Sequence, residues 1–118
     1  MGDTYTPRGS GGGSSGGSSA WVLVTGTTTQ AVVGGRYAAD TSLASATITL
    51  PASPAVGDEI LFKDAHQHWA ARNLTVGRNG QNINGVASNF LANVSGDSLR
   101  CVYIGTNAAG TVVGWSIS

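Results

Sequence analysis

Cysteine, charge and long apolar runs are all scarce in this 118-residue sequence, and each scarcity excludes a class of protein. The one cysteine, Cys101, cannot form a disulfide within the chain, and its position in the apolar run LRCVYIG predicts a buried, reduced thiol. Charged residues make up 10% of the chain and the formal net charge is +0, so we expect no nucleic-acid partner and no anionic membrane surface. No run reaches the roughly 18 apolar residues of a membrane span, and no apolar export signal opens the sequence. We therefore expect synthesis in a reducing cytoplasm.

Helix formers other than alanine are also few, whereas glycine, threonine, serine, valine and asparagine are abundant. No window has a helical period. Alternating patterns such as ATITL, where Ile48 and Leu50 share one face, are typical of half-buried strands. The sequence predicts an all-β fold, a small antiparallel β-sandwich or barrel-like domain with an extended Gly/Ser-rich N-terminal arm. The predicted strands cover residues 21–25, 30–33, 36–38, 46–50, 59–63, 74–76, 90–94, 98–104 and 111–117.

The stretch LTVGRNGQNING, residues 74–85, carries the sharpest turn signals. It starts as a strand and then contains two Asn-Gly pairs, Asn79-Gly80 and Asn84-Gly85, on either side of the single apolar residue Ile83. Asn-Gly supplies the positive φ angles of a tight hairpin turn. We expect short strands joined by tight corners here, with the residues on either side of these turns paired across them.

The N-terminal part divides into an arm and a tether. Residues 9–19 are all glycine or serine, so they have no side chain that buries apolar area and are expected to behave as a flexible tether. The arm before them carries Tyr5, Pro7 and Arg8, which are suited to docking on a neighbouring surface by ordering upon contact. We assign residues 1–20 to arm and tether and residues 21–118 to one β domain. The alternative is that this segment is an engineered linker or a disordered tail.

The strand predicted at residues 98–104 is apolar on both faces. Leu99, Cys101 and Tyr103 form one row, and Arg100, Val102 and Ile104 form the other. A strand of this kind is covered on both sides, either inside a sandwich or at a subunit interface. The second row, Arg100, Val102 and Ile104, is therefore our candidate for the interface of a homotrimer.

His66 and His68 form the one cluster with potential chemistry. In an extended segment both imidazoles project to the same side, and three such pairs around a trimer axis would supply six nitrogen ligands to a metal. Asp64 is an alternative third ligand within one chain. The other interpretation, which we favour, is a polar loop with solvated histidines and no metal.

No other group predicts catalysis, and we expect neither catalytic residues nor a cofactor. Asp58, Glu59, Asp64 and Asp97 lie at predicted turns and strand ends, where carboxylates bond to nearby backbone amides. The three tryptophans can each stack on a sugar ring. Burial is the expectation for Trp21 and Trp115, and Trp69 is expected to be the exposed one.

From Leu50 onward the order of elements resembles a module of bacteriophage virion proteins, found in tail fibres and other exposed structural components. The resemblance lies in LPASPAVGDEILFKD, NLTVGRNGQNING, a short strand at residues 90–94, LRCVYIG and the terminal GWSIS. It covers the larger part of the chain, from residue 50 to residue 118. The sequence HQHW at residues 66–69 departs from the commoner pattern, which has small or polar residues there.

The resemblance implies a β-rich, usually trimeric, non-enzymatic building block of a phage particle. Two functions follow from it. In the first, the chain is a capsid cement or decoration protein, made in the host bacterial cytoplasm, that trimerises on the virion surface and contacts the major capsid protein or another virion protein partly through its arm. In the second, the chain is a tail-fibre or spike component that binds a host surface carbohydrate.

Overall fold

A computed structural model of the chain describes residues 20–118, so the arm and tether lie outside the described residues. Nine strands and no helix occupy this part of the chain, which confirms the all-β prediction. The strands are β1 (Trp21–Thr25), β2 (Thr27–Gln30), β3 (Arg36–Asp40), β4 (Ala46–Thr49), β5 (Glu59–Asp64), β6 (Leu74–Gly77), β7 (Phe90–Ala92), β8 (Ser98–Thr106) and β9 (Val112–Ile117).

The strands form two mixed sheets. One has five strands in the order β1-β3-β5-β8-β9, and the other has four in the order β2-β4-β6-β7. From β1 to β6 the chain alternates between the two sheets. Strands β1 and β2 therefore form a first layer, β3 and β4 a second layer beside it, and β5 and β6 a third. Strands one layer apart run in the same direction and pair in parallel.

The antiparallel part of our fold prediction was therefore wrong for the pairings among the first six strands. Antiparallel pairing joins β5 with β8, β6 with β7, and β8 with β9, because the chain reverses after β6 and returns along both sheets. Short strands with tight corners serve either arrangement. The alternation of apolar and polar residues along a strand indicates which face is buried, but it does not indicate whether the neighbouring strand is parallel or antiparallel.

The core lies between the inner faces of the two sheets. Ile48 and Val76 project from the four-stranded sheet, and Ile60, Phe62 and Cys101 project from the five-stranded sheet; all are fully buried. The alternation in ATITL and EILFKD predicted these faces correctly, since Leu50 is buried as well.

Both Asn-Gly pairs form the tight turns that the sequence predicts. Asn79 and Gly80 have φ of 48° and 87°, and the Gln81 N–H donates to the Arg78 carbonyl. The strand before this turn pairs with the strand that follows both turns, because β6 and β7 pair antiparallel across residues 78–89. The predicted pairing across these turns is therefore confirmed.

The second turn, Asn84-Gly85, is the one that closes a hairpin. The backbones of Ile83 and Val86 exchange two hydrogen bonds of 2.9 Å across it. This small hairpin, residues 82–86, packs against the outer edge of β9, where the Trp115 N–H donates to the Asn82 carbonyl. The far edge of the five-stranded sheet is thereby closed by the chain's own loop.

One predicted strand is displaced. The sequence predicted residues 30–33, whereas β2 occupies Thr27–Gln30 and the following valines lie exposed at the corner before β3. Threonines placed opposite Ala46 and Ile48 of β4 extend the parallel sheet at this position. The β-branched run TTT was the better strand signal.

Candidate functional site

The side of the five-stranded sheet that faces away from the core is the candidate site, and we call it the outer face. Strand β5 shows how the sequence produces it. Ile60 and Phe62 point into the core, so Leu61 and Lys63 point outward. An apolar residue thus lies on the solvent side of the strand. The outer face comprises Trp21, Leu23, Arg36, Ala38, Glu59, Leu61, Lys63, Ser98, Arg100, Val102, Ile104 and Ser116.

Our trimer-interface residues all lie on this outer face. Arg100 is exposed, Val102 is half-buried, and 37% of Ile104 is exposed, while Leu99 and Cys101 of the same strand are buried in the core. One face of β8 is therefore covered by the core, and among the described residues no element covers the other. Arg100 forms an ion pair with Glu59 across the sheet, which holds both charged groups on this surface.

Apolar side chains of neighbouring strands extend this row across the sheet. Leu61 pairs with Arg36 on one side and Arg100 on the other, and Leu23 on β1 is 62% exposed. Sequence analysis missed Leu61 and Leu23 as members of the surface. The signal was present in ILFK, where a leucine alternates with the two core residues.

A shallow groove of about 270 Å³ crosses the outer face. Its lining includes Trp21, Leu61, Lys63, Ser98 and Arg100. The Arg36 guanidinium lies 6.0 Å from the centre of the Trp21 ring, within the range of a cation–π contact. Trp21 is half-buried, so the expectation that it lies in the core was wrong.

Asp64 organises the loop that contains the two histidines. Its carboxylate accepts hydrogen bonds from the backbone N–H groups of His66, His68, Trp69 and Gly96, at 2.9 to 3.3 Å. Burial, the largest single influence, raises the pKa of this carboxyl. The four N–H donors, Gly96 first among them, together outweigh burial and hold the pKa below its ordinary value.

This geometry excludes Asp64 as a metal ligand beside the histidines. The side chain is only 3% exposed and both of its oxygens accept backbone N–H groups, so the alternative of an Asp64 ligand was wrong. His66 and His68 do lie together, with their rings stacked 5.2 Å apart and 7° from parallel. Between residues 20 and 118, no three histidine, cysteine or acidic side chains are grouped so that they could hold a metal.

Trp69 follows this loop and is fully buried, so the prediction that it would be the exposed tryptophan was wrong. The N–H groups that bind Asp64 turn the chain inward at this point, and the indole Nε1 donates to the Ala39 carbonyl at 3.3 Å. Trp115 is also fully buried, as predicted.

Asp58 and Asp97 bond to nearby backbone amides as the sequence predicts, whereas the prediction was wrong for Glu59, which pairs with the Arg100 side chain. Asp58 accepts the Ala55 N–H at 2.8 Å, and Asp97 accepts the N–H of Ser98 at 2.9 Å. Asp40, whose position the sequence did not single out, accepts the Ser42 N–H in the same way. These carboxylates hold turns and strand ends.

Cys101 is buried, as predicted, and burial raises the pKa of its thiol to about 12. The arm residues Tyr5, Pro7 and Arg8 lie outside the described residues. In the part of the chain that the structure covers, no helix has the length and apolar character needed to cross a membrane. No protein-family description matches the chain, and a comparison with curated proteins finds no match either.

Proposed function

We propose that this chain is a non-enzymatic structural protein of a bacteriophage virion that associates with copies of itself through the outer face. The observation that carries the proposal is the apolar row on that face, with Leu61 and Val102 half-buried and Ile104 partly exposed. A second copy that covers this face removes its exposed apolar area from water, and this burial favours association of the two copies.

The polar groups of the domain support a structural role. Asp64, Asp58 and Asp97 hold backbone amides, Glu59 pairs with Arg100, and the thiol of Cys101 is buried. A general acid or base must instead be able to reach the proton of a substrate. A nucleophilic thiol needs a lowered pKa, the opposite of what burial does to Cys101.

Within the virion, we place the protein on the capsid surface as a cement or decoration subunit. The resemblance of residues 50–118 to phage structural modules supports this placement and favours three copies around one axis. The major capsid protein, or another virion protein, is then the second partner. The arm residues Tyr5, Pro7 and Arg8 supply part of that contact.

Sedimentation of purified protein at micromolar concentration tests self-association. We expect a species of three times the chain mass of 11.8 kDa. Val102→Lys should shift it toward monomer, because three lysines would be desolvated in one interface. The matched control is Leu43→Lys, at a 91% exposed leucine in the loop between β3 and β4. A monomeric wild-type protein, or equal effects of the two substitutions, would contradict the proposed interface.

Attachment to the particle needs a separate experiment. A variant that lacks residues 1–19 should stay folded and associated, because the buried core lies between Val24 and Ile117. We expect image reconstruction of particles mixed with this variant to show lower occupancy than with the full chain. Unchanged occupancy would remove the arm from the contact.

The groove on the outer face favours a second candidate, a fibre or spike component that binds a host surface carbohydrate. A half-buried tryptophan beside Lys63, Ser98 and Arg100 offers a stacking surface and polar groups. We rank it second because the groove is shallow and lies on the face that self-association would cover. Binding of purified bacterial surface polysaccharide to wild-type protein and not to Trp21→Ala would reverse this order.

A further inference from the structure

The two Asn-Gly pairs have the same dipeptide sequence and similar turn geometry, but the rest of the fold holds them differently. Asn79 and Asn84 have φ of 48° and 50°, and the glycines that follow, Gly80 and Gly85, have φ of 87° and 80°. All four residues are exposed. We propose that Asn79 is a site of spontaneous deamidation in the folded protein, and that the fold protects Asn84 from the same reaction.

Deamidation at an Asn-Gly pair is a reaction of the chain with itself and then with water. The glycine nitrogen attacks the side-chain carbonyl carbon of the asparagine and forms a C–N bond. The bond to the side-chain nitrogen breaks, and this nitrogen leaves as ammonia with the proton of the glycine N–H. Water then opens the resulting cyclic imide at either carbonyl, which yields aspartate or isoaspartate. The reaction therefore needs an available glycine N–H, a side chain free to rotate and a backbone that can leave its turn, which glycine permits most easily.

The Asn84 pair lacks this freedom. Its side-chain amide bonds to the backbone of Ile117 in both directions, since Oδ1 accepts the Ile117 N–H at 2.9 Å and Nδ2 donates to the Ile117 carbonyl at 3.4 Å. The attacking nitrogen is held as well, because the Gly85 N–H donates to the Val113 carbonyl at 2.9 Å. Attack at Asn84 must therefore break all three of these hydrogen bonds, which requires hairpin 82–86 to open locally.

The Asn79 pair is held by fewer hydrogen bonds. Its Nδ2 donates to the Leu50 carbonyl at 3.0 Å, but within residues 20–118 no group bonds to its Oδ1 or to the Gly80 N–H. The space beside Gly80 is open, because a Cβ built there would meet nothing within 4 Å. The attacking nitrogen is therefore available at Asn79, and one side-chain bond opposes rotation of the amide.

The products loosen the turn from its neighbours. In aspartate, a carboxylate oxygen replaces the donor Nδ2 and faces the Leu50 carbonyl, so that two acceptors meet without a proton between them. Isoaspartate lengthens the backbone between Arg78 and Gln81, which a 3.0 Å hydrogen bond joins across the turn. The Gln81 side chain also bonds to Ala52 and Tyr103. Deamidation therefore weakens the contact between this turn and the loop after β4, an effect that does not depend on the proposed function.

Peptide mapping of aged protein tests the proposal. The full chain is incubated at mildly alkaline pH, folded in one sample and unfolded by urea in the other, and is then digested in acid so that digestion adds no deamidation. Fragment masses separate conversion at Asn79 from conversion at Asn84. In the folded sample, we expect Asn79 to convert at least about tenfold faster, because Asn84 must break more hydrogen bonds. In urea, the two rates should agree within about twofold, because the hydrogen bonds of the fold are lost.

Any of three results would overturn the proposal. The first is that Asn84 converts as fast as Asn79, or faster, in the folded protein. The second is that Asn79 stays unmodified in the folded protein while it converts in urea, which would show that the fold protects both pairs. The third is that the difference between the two rates persists in urea, which would assign it to the neighbouring residues in the sequence.

A substitution measures the consequence of the reaction. Asn79→Asp reproduces one product, and the matched control is Asn93→Asp, which adds the same charge at an exposed asparagine whose side chain bonds to no group within residues 20–118. We expect the melting temperature of Asn79→Asp to lie about 4 °C or more below that of the control, because a hydrogen bond is lost. Equal melting temperatures would contradict the loosening of the turn. Both experiments use purified protein without virus particles, so their failure is separate from failure of self-association or of capsid binding.

Discussion

The carbonyl oxygen of Asn82 occupies the space in which any side chain at position 114 would begin. A Cβ built on Gly114 would lie 2.1 Å from that oxygen, and Gly114 has a φ of +73°. The next residue, Trp115, donates its N–H to the same carbonyl at 2.8 Å. Closure of the far edge by hairpin 82–86 therefore depends on the glycine in β9.

Gly114→Ala should lower the free energy of unfolding by about 3 kcal/mol, because a positive φ and a backbone clash act together. Gly110→Ala is the matched control. Its φ is +86° and the space around it is open, so it should lose about 1 kcal/mol through backbone strain alone. Urea denaturation of both variants measures the difference, and equal losses would show that the Asn82 contact is not rigid.

Asp64 should make the free energy of unfolding depend on pH in the acidic range. Its folded pKa lies below the ordinary value, so its contribution is fully present above the unfolded pKa of about 4 and is lost as the pH falls through the folded pKa. We expect the free energy of unfolding to drop as the pH falls below about 5. In Asp64→Asn, which is less stable at pH 7 because buried N–H groups lose a charged acceptor, this dependence should be weaker. An unchanged pH profile in the variant would contradict the role of Asp64.

Cys101 should report unfolding of the whole domain. Its thiol is fully buried, so an alkylating reagent cannot reach it in the folded protein. Burial also raises the pKa of the thiol to about 12, so almost none of it is ionised at pH 8. We expect the alkylation rate to rise with urea in parallel with the loss of tryptophan fluorescence. Rapid labelling without denaturant would show that β8 opens locally.

The histidine pair should hold no metal in the purified protein. His68 Nδ1 lies within hydrogen-bonding distance of the His66 carbonyl oxygen, and Asp64 is occupied by backbone amides. We expect elemental analysis to find no stoichiometric metal, and a chelator to leave the melting temperature unchanged. One metal per trimer, lost together with thermal stability in His66→Ala, His68→Ala, would restore the threefold site.

The local structure could be predicted from the sequence wherever a short segment carries its own physical reason. Strand β4 and strand β5 were predicted because alternation at period two identifies the buried face, as Ile48 and Phe62 show. The turns at Asn79-Gly80 and Asn84-Gly85 were predicted because few residues adopt a positive φ readily. The bonded carboxylates of Asp58 and Asp97 belong to the same local class.

Only the tertiary structure decided what depends on a neighbour far along the chain. The parallel pairing of β1, β3 and β5 arises because each strand's partner is one layer away, a distance that no local pattern records. Trp69 is buried where its backbone N–H donates to the Asp64 carboxylate, five residues earlier. The same carboxylate accepts the N–H of Gly96, which lies on a loop far along the chain. Leu61 faces outward because its neighbours Ile60 and Phe62 point into the core, and successive side chains of a strand point to opposite faces. This alternation places a leucine on the outer face.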